Sequence, residues 1–348
     1  MVAKTTSLNI LFMLFPCKIE VKMKKIAING FGRIGRLVFK IGLEKGLDIV
    51  AINDLTPIET LVHLLKYDSV YGRYKEKVEA GKDFIKIKNR KIQVFAEPDP
   101  EKLPWKKLGV DYVIESTGLF KTKEKAMKHI KAGAKRVLIS APSDDAEITI
   151  VYGVNHNKLK DQKIISVASC TTNCLAPLAK VLEENFGINK AFMTTVHAYT
   201  SSQNVVDGPN KHLRRARTAG LNIVPTTSGA TTATAKVIPQ LEGKMDGLSM
   251  RVPVACGSIV DFVAELKKPA SKDKINEAFK KASKNELKGV LDYTEDEIVS
   301  SDIIGDPHSS IIDGKSTQVL GNLVKVLSWY DNEYGYSNRM IDVLKLIK

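Results

Sequence analysis

A cysteine and a histidine stand in this sequence where a nucleophile and a base could pair. Cys170 lies in the run Ser169–Cys174 (SCTTNC), after the apolar run Ile164–Val167 and at the start of a segment with helical spacing of apolar residues. Because a helix N-terminus stabilises a thiolate, we expect a lowered pKa for this thiol. A lone cysteine is as often a small buried apolar residue. His197, among hydroxyl side chains in the strand-like run Thr194–Thr200, favours a Cys–His pair for covalent catalysis.

A glycine pattern near the start of the chain indicates phosphate binding. Gly30-x-Gly32-x-x-Gly35 follows the apolar run Ile26–Ile28 and precedes apolar residues at helical spacing. In such a turn the first glycine permits the bend, the second lets the backbone approach a pyrophosphate, and the third allows the helix to pack closely on the strand. Free N–H groups at the helix start then face the phosphates. The pattern predicts a dinucleotide site; the alternative is a glycine turn without a ligand.

A carboxylate after the second predicted strand bears on the choice of cofactor. Asp54 follows the apolar run Ile49–Ile52 and stands nineteen residues after Gly35. A carboxylate in this position can accept hydrogen bonds from the adenosine ribose, and it would repel a 2′-phosphate. No arginine follows it directly. We therefore predict NAD, in preference to NADP, as the cofactor.

The elements that position the glycine turn alternate between strand and helix. Further strands are predicted at Ile92–Ala96, Tyr112–Glu115 and Arg136–Ile139, with a helix at Lys123–Ala132 between the last two. This alternation is typical of a parallel sheet with helices on its faces. The fold class predicted for this part is α/β, with a Rossmann-type, doubly wound parallel sheet.

The pattern changes after Cys170. Long alternating runs at Ala191–Thr200, Met250–Leu266 and Val319–Tyr330 predict strands of a mixed, largely antiparallel sheet in an α+β catalytic domain. Ser337–Ile347 has apolar residues on one face of a predicted helix that returns to the first domain. The predicted divisions are an N-terminal extension at 1–22, an NAD-binding domain at 23–169, a catalytic domain at 170–333 and the C-terminal helix at 334–348.

Composition limits the classes of partner. Lys and Arg outnumber Asp and Glu by 53 to 39, which gives a formal charge of +14. Most of the excess is lysine scattered over predicted helix faces, and the densest cluster is Lys211–Arg217. The charge permits an anionic partner, including nucleic acid. Because the chain has no helix-turn-helix, zinc-finger or RNA-binding signature, we do not expect nucleic acid as a primary partner.

The start of the chain and its cysteines indicate the compartment. The apolar stretch Leu8–Phe15 is too short to span a bilayer and lacks a cleavage site for a secretory signal. Because Met23-Lys24-Lys25 directly precedes the first predicted strand, we expect residues 1–22 to be a disordered or spurious extension; a weak signal peptide or anchor is the alternative. Four cysteines without disulfide or zinc-finger spacing favour the cytoplasm, no metal and no membrane partner.

Three motifs resemble the phosphorylating glyceraldehyde-3-phosphate dehydrogenase family. They are Ile28–Arg36 (INGFGRIGR), Ala168–Cys174 (ASCTTNC) and Trp329–Tyr336 (WYDNEYGY). The resemblance extends from about Met23 to the C-terminus. It implies a homotetramer that oxidises D-glyceraldehyde 3-phosphate with NAD and inorganic phosphate to 1,3-bisphosphoglycerate, through a thiohemiacetal and a thioester on Cys170.

The resemblance also implies a role for each matching residue. Cys170 is the implied nucleophile, and His197 the implied base. The implied cofactor-binding residues are Asn29, Gly30, Phe31, Gly32, Arg33, Ile34, Gly35, Asp54, Ser116, Thr117 and Asn332. The residues implied to hold the substrate phosphate and the attacking phosphate are Ser169, Thr171, Thr200, Arg215, Ser228, Gly229 and Arg251.

The sequence departs from the family pattern in three places. Ser228 stands where a threonine is usual, which keeps the hydroxyl and leads us to expect little change in phosphate binding. Val254–Gly257 replaces a stretch that normally contains threonine and asparagine or aspartate, and its effect is expected on local packing or subunit contacts. No chemical neighbour is evident for Cys256 or for Cys17. Residues 1–22 have no counterpart in the family.

A second enzyme shares the cysteine and glycine motifs. Erythrose-4-phosphate dehydrogenase is the alternative within the same class, and its phosphate-site segments differ. Tyr199-Thr200 and Ser228-Gly229 keep the form of the glyceraldehyde-phosphate enzyme. The cluster Lys211–Arg217, preceded by Gly208-Pro209, resembles the S-shaped loop of NAD-preferring members, in agreement with Asp54.

Overall fold

A computed structural model describes residues 23–347. The predicted extension at 1–22, with Cys17, lies outside the described residues. No helix between residues 23 and 347 is both long enough and apolar enough to cross a lipid bilayer. Over the same residues, no group of three or more His, Cys, Asp or Glu side chains is placed to hold a metal ion.

Residues 23–347 form eighteen strands and eight α-helices. The strands are β1 (Lys25–Asn29), β2 (Asp48–Asn53), β3 (Tyr67–Asp68), β4 (Gly72–Arg73), β5 (Val78–Ala80), β6 (Phe84–Ile87), β7 (Arg90–Phe95), β8 (Tyr112–Glu115), β9 (Arg136–Ile139), β10 (Ile148–Thr149), β11 (Ile164–Ser166), β12 (Ile188–Ala198), β13 (Val224–Thr227), β14 (Met245–Val252), β15 (Ser258–Leu266), β16 (Leu291–Thr294), β17 (Ser310–Leu320) and β18 (Leu323–Tyr330). The helices are α1 (Arg33–Glu44), α2 (Ile58–Lys66), α3 (Trp105–Leu108), α4 (Lys123–Lys131), α5 (Cys170–Phe186), α6 (Ala230–Val237), α7 (Lys272–Lys284) and α8 (Tyr334–Leu346).

The first sheet has nine strands in the order β10-β11-β9-β8-β1-β2-β7-β6-β5. Pairings from β10 to β7 are parallel, and β6 and β5 complete the edge antiparallel. Strand β1 is an almost continuous buried run because α1 and α8 pack on one face of the sheet and α3 and α4 on the other. The predicted Rossmann-type sheet is confirmed. Strand order reverses between β1 and β8, and such reversals form ligand crevices at the carboxyl ends of strands.

The second sheet has seven strands in the order β13-β14-β12-β15-β18-β17-β16. Only the β12–β14 and β16–β17 pairings are parallel, so the predicted mixed, largely antiparallel sheet is confirmed. Strand β15 alternates between buried and half-buried residues because α5 and α7 cover one face. The opposite face leaves Phe192 71% exposed.

Two long predicted strands are each divided in the structure. The segment Met250–Leu266 separates into β14 and β15, because Pro253 cannot donate a ladder hydrogen bond and Gly257 has a φ of +91°. Val319–Tyr330 separates into the ends of β17 and β18 at a tight turn where Gly321 has a φ of +62°. Both predictions of a single strand are wrong, because apolar alternation continues through a turn that reverses the chain.

The strands of the two sheets occupy separate parts of the chain. The first sheet uses residues 25–166 and the second uses 188–330. Helix α8 follows the second sheet in the chain and packs against α1 of the first. The predicted boundaries at 169/170 and 333/334 stay predictions.

Candidate active site

A strained backbone turn presents Cys170 at the first position of α5. Ala168 adopts a φ of +54°, a left-handed conformation that is uncommon for a residue with a side chain. The hydroxyl of Tyr336 on α8 donates a 3.0 Å hydrogen bond to the Ala168 carbonyl. Ser169 then caps the helix by accepting a 3.0 Å hydrogen bond from the N–H of Thr172. The turn from β11 into α5 is thus held by contacts on both sides of the nucleophile.

The structure brings the predicted nucleophile and base together. Cys170 Sγ lies 3.4 Å from His197 Nε2. On the other side of the ring, His197 Nδ1 lies 2.6 Å from the carbonyl oxygen of Ala198. When Nδ1–H donates to that oxygen, the Nε2 lone pair faces the sulfur, as a general base requires. Arg251 shares this region, with Nη1 2.8 Å from Nδ1 and 2.9 Å from the same carbonyl.

Burial reverses the expected shift of the thiol pKa. Desolvation raises the pKa of Cys170, against smaller lowering effects of the Arg251 cation and of hydrogen bonds from Thr171 and the backbone. The predicted lowering is therefore wrong: the helix start is present, but the crowding of the sulfur by protein atoms outweighs it. Desolvation, and then the Arg251 charge, lower the pKa of His197 to about 3. At neutral pH the ring is therefore an uncharged base beside a thiol.

We expect Arg251 to control thiolate formation most clearly when His197 is absent. In a His197→Asn background, Arg251→Gln removes a cation that lowers the Cys170 pKa. The pKa then rises, so less thiolate is present at a given pH. We expect alkylation of Cys170 by iodoacetamide at pH 8 to slow by at least about twofold, with the rate profile moved to higher pH. Arg136→Gln in the same background is the control, since Arg136 bonds the Lys160 carbonyl; an unchanged profile after Arg251→Gln would refute the prediction.

Of the predicted cofactor residues in the glycine turn, Asn29, Gly30 and Gly32 line a pocket of about 290 Å³. Gly30 has a φ of +90°, and a Cβ there would lie 2.6 Å from the Thr117 nitrogen. A Cβ on Gly35 would lie 2.1 Å from the Gly30 oxygen, whereas one on Gly32 would meet nothing within 4 Å. Two glycines are thus required by close packing, and Gly32 leaves open space for a ligand. The lining residues are Asn29, Gly30, Gly32, Asn53, Asp54, Leu55, Glu97, Pro98, Ser116, Thr117, Leu119 and Phe120.

Asp54 is oriented by the backbone on both of its oxygens. Oδ2 accepts a 2.7 Å hydrogen bond from the N–H of Phe31, and Oδ1 accepts one of 2.9 Å from Thr56. The Phe31 ring is buried edge-on against Phe39, so Phe31 reaches this site through its backbone. Ile34 is half-buried beside the same core. The carboxylate is therefore held at the mouth of the glycine turn.

Arg33 links the glycine turn to the segment that contains Asn332. Its guanidinium lies 2.7 Å from Asp68 and donates a 2.9 Å hydrogen bond to Glu333. The side-chain oxygen of Asn332 accepts hydrogen bonds from the Gly257 N–H, at 3.1 Å, and from the Ser258 hydroxyl, at 2.9 Å. Its Nδ2 makes no hydrogen bond within residues 23–347. One end of this amide is anchored, and the other remains available to a ligand.

The predicted phosphate-binding residues are only partly joined by contacts. Arg251 contacts His197, and Arg215 donates a 2.9 Å hydrogen bond to Thr226 on β13. The hydrogen bonds of Thr200 and Ser228 stay within their own loops. Ser169 caps α5, Thr171 bonds to Tyr330, and Gly229 caps α6. Of this set, the structure places Arg251 at His197 and Thr171 at Cys170.

Comparison with known proteins supplies the family. The family model described as glyceraldehyde 3-phosphate dehydrogenase, NAD binding domain, matches residues 24–123, and the model of the C-terminal domain matches residues 169–332. A Borreliella burgdorferi protein named glyceraldehyde-3-phosphate dehydrogenase is 58% identical over 334 residues, 93% of this chain and 100% of its own. Streptomyces avermitilis glyceraldehyde-3-phosphate dehydrogenase 2 is 57% identical over 324 residues, 92% and 97% of the two chains. The chain belongs to the glyceraldehyde-3-phosphate dehydrogenase family.

The resemblance drawn from the three motifs is thereby confirmed. One feature of the site was outside the residues predicted from sequence. The buried hydroxyl of Tyr330 lies 2.9 Å from that of Thr171 and 2.8 Å from that of Thr195, and its ring meets the His197 ring edge-on at 5.9 Å. Tyr330 lies on β18, two strands away from β12 across the sheet. Only the strand order reveals that it supports the Cys–His pair.

Cys256 has neighbours that its local sequence does not reveal. Its sulfur lies 3.2 Å from Asp331 Oδ1 and 3.5 Å from the Tyr71 hydroxyl. The sequence did not reveal these partners, because they are distant from Cys256 in the chain. Desolvation, followed by the Asp331 charge, raises the pKa of this thiol. Cys174 is also buried, 3.4 Å from the Ser328 hydroxyl, so both thiols are packed within the glyceraldehyde-3-phosphate dehydrogenase fold.

Proposed function

We propose that this chain catalyses the NAD-dependent oxidative phosphorylation of D-glyceraldehyde 3-phosphate to 1,3-bisphosphoglycerate, in glycolysis and gluconeogenesis. The observation that supports it most directly is the 3.4 Å contact between Cys170 Sγ and His197 Nε2 at the start of α5, in a member of the glyceraldehyde-3-phosphate dehydrogenase family. A thiol beside a neutral imidazole is suited to covalent attack on an aldehyde.

Cys170 and His197 perform the covalent steps. His197 Nε2 takes the thiol proton as the sulfur attacks the aldehyde carbon, and it returns that proton to the oxygen, giving a thiohemiacetal. Bound NAD supplies the acceptor for the hydride. His197 then removes the hydroxyl proton while the carbon is oxidised to a thioester. An oxygen of inorganic phosphate attacks the thioester, the C–S bond breaks, and Cys170 leaves as the thiolate with the acyl phosphate as product.

The residues of the first sheet fit a bound NAD. Gly32 leaves open space at the N-terminus of α1, where free N–H groups suit a pyrophosphate. Asp54 lines the same pocket with a carboxylate that is already oriented, which suits ribose hydroxyls. Asn332 has an amide nitrogen without a hydrogen-bond partner in residues 23–347, which suits the nicotinamide carboxamide. These three features support NAD as the cofactor.

Turnover with two aldehydes tests the proposed reaction. We expect sustained NADH formation from glyceraldehyde 3-phosphate only when inorganic phosphate is present. Without phosphate, NADH formation should stop near one equivalent per active site, because the thioester accumulates on Cys170. A strong preference for erythrose 4-phosphate would establish the alternative substrate. Absence of turnover with both aldehydes would refute the proposed function.

Asp54 is proposed as the residue that selects NAD over NADP. Asp54→Ala removes the negative charge that opposes a 2′-phosphate, together with the acceptor for the ribose. We expect kcat/KM to fall roughly tenfold for NAD and to rise for NADP, so that the ratio changes on the order of a hundredfold. Glu97→Gln is the matched control, because Glu97 lines the same pocket. If both variants keep the wild-type ratio, Asp54 does not set the preference.

We propose that the enzyme is a homotetramer. Large apolar side chains are exposed on β12 and on the loop that includes the cluster Lys211–Arg217: Phe192 is 71% exposed, Leu213 84%, Leu221 84% and Ile223 68%. Exposed apolar side chains of this size support contacts between copies of the chain. Light scattering of the purified protein tests the stoichiometry, and a monomer at micromolar concentration would contradict it.

We also propose a cytoplasmic location. Cys170, Cys174 and Cys256 are free thiols in the described chain, and the reaction requires Cys170 to remain reduced. A reducing compartment satisfies this requirement. Fractionation of cells that express the natural protein tests the proposal, with activity expected in the cytoplasmic fraction.

A further inference from the structure

Four hydrogen bonds converge on one buried carboxylate beneath the dinucleotide pocket. Glu115 ends β8 and is 2% exposed. Its Oε2 lies 2.6 Å from Asn29 Nδ2 and 3.2 Å from His129 Nε2. Its Oε1 accepts a 2.8 Å hydrogen bond from the Thr117 N–H and a further one from the Thr117 hydroxyl. Glu115 is absent from the residues that line the pocket.

Each of these neighbours needs an acceptor at position 115. Trp105 Nε1–H donates a 3.0 Å hydrogen bond to His129 Nδ1, so the ring proton belongs on Nε2, facing Glu115. Asn29 Oδ1 accepts from Asn53 Nδ2 at 2.7 Å, which turns the Asn29 NH₂ toward Glu115. The Thr117 hydroxyl accepts from the Leu119 N–H at 3.0 Å and is free to donate to Glu115.

The carboxylate also determines where the glycine turn rests. Asn29 is the residue before Gly30, and the Thr117 nitrogen lies where a Cβ on Gly30 would be only 2.6 Å away. The hydrogen bonds of Glu115 therefore fix the last residue of β1 and the backbone on which Gly30 packs. Asn53 extends the network to β2 and bonds the Glu97 carbonyl at 2.9 Å. Hydrogen bonds therefore join the ends of neighbouring parallel strands beside the glycine-turn pocket.

We propose that Glu115 is a positioning residue for NAD, a role that rests on the proposed NAD-dependent function. Without contact to the ligand, its carboxylate holds Asn29 and Thr117 so that the turn from Gly30 to Gly35 keeps the shape that receives the pyrophosphate. The role requires an acceptor at both oxygens. The amide of a glutamine has only one acceptor oxygen. In either orientation its NH₂ group would face two donors, those of Asn29 and His129 or the N–H and hydroxyl of Thr117.

Glu115→Gln tests the proposal, with Val113→Ala as the matched control. Val113 is fully buried on the same strand, two residues earlier, in the core with α3 and α4. Equilibrium titration of each protein with NAD measures the Kd directly. We expect the Kd for NAD to rise roughly tenfold in Glu115→Gln and to stay within about twofold of wild type in Val113→Ala. At saturating NAD, kcat and the KM for the aldehyde are expected to stay within about twofold in Glu115→Gln.

A second variant keeps the test decisive if Glu115→Gln does not fold. Trp105→Phe removes only the outermost donor of the network, and we expect a twofold to threefold rise in Kd, about 0.4–0.7 kcal/mol. An unchanged Kd in the folded variant, or an equal rise in Val113→Ala, overturns the positioning role. NAD titration needs no aldehyde substrate, so the two proposals can fail separately. Absence of turnover with both aldehydes would refute the proposed function, whereas an unchanged Kd in Glu115→Gln would refute the positioning role.

Discussion

Cys170→Ser is expected to lower sustained NADH formation from glyceraldehyde 3-phosphate by at least about a thousandfold. A serine hydroxyl is far less acidic than a thiol, so far less of the nucleophilic anion forms beside His197. An ester on serine would also conserve less of the oxidation energy than a thioester. Affinity for NAD should be nearly unchanged, because residue 170 lies at the start of α5 and outside the glycine-turn pocket.

The same helix offers a matched control for this substitution. Cys174 stands four residues later, is fully buried, and lies 3.4 Å from the Ser328 hydroxyl. A serine at 174 keeps a group that can hydrogen-bond to Ser328, so Cys174→Ser should retain activity within about threefold. NADH formation is measured for both variants with phosphate present and then omitted. More than a few per cent of wild-type activity in Cys170→Ser would exclude Cys170 as the nucleophile.

His197→Asn is expected to lower kcat by about 10²–10⁴-fold with little change in the Kd for NAD. The asparagine removes the group that accepts the thiol proton and later the hydroxyl proton. Because the pKa of His197 is lowered to about 3, the wild-type ring remains a base through the neutral range. Loss of the base should slow both formation of the thioester and alkylation of Cys170.

A surface histidine provides the control for His197→Asn, because it shows whether any histidine-to-asparagine substitution lowers kcat. His63 is exposed on α2, and His63→Asn should keep kcat within about twofold of wild type. Rapid-mixing measurement of the first turnover distinguishes slow chemistry from slow release of product. If His197→Asn forms the first equivalent of NADH at the wild-type rate, His197 has no role as the base in thioester formation.

Several features were predictable because they depend on neighbours in the chain. The strands at Tyr112–Glu115 and Arg136–Ile139 occur with the predicted bounds, since buried parallel strands are short apolar runs between turn residues. The glycine turn and the N-terminal position of Cys170 follow likewise from local preferences. The predictions of single long strands at Met250–Leu266 and Val319–Tyr330 were wrong, because the alternation of apolar residues continues across a point where the chain reverses direction. The reversal follows Pro253 in the first segment and occurs at Gly321 in the second.

Contacts between distant segments could not be predicted in the same way. Cys256 meets Asp331 at a separation of 75 residues and Tyr71 at a separation of 185. Glu115 and His129 are neighbours only because α4 packs against the sheet. The direction of the Cys170 pKa shift depends on how far the surrounding protein atoms exclude water from the sulfur. The position of the cysteine in the sequence does not show how buried its sulfur is.

The sequence by itself determined the residue types that do chemistry and the local turns that expose them: the glycine turn before α1 and the cysteine at the start of α5. Only the tertiary structure decided that Cys170 Sγ lies 3.4 Å from His197 Nε2 and that Arg251 reaches the same ring. It also decided that burial raises the pKa of Cys170 and lowers that of His197. The physical reason is that backbone preferences act over a few residues, whereas desolvation and charge interactions depend on atoms that only the packing of two sheets brings together.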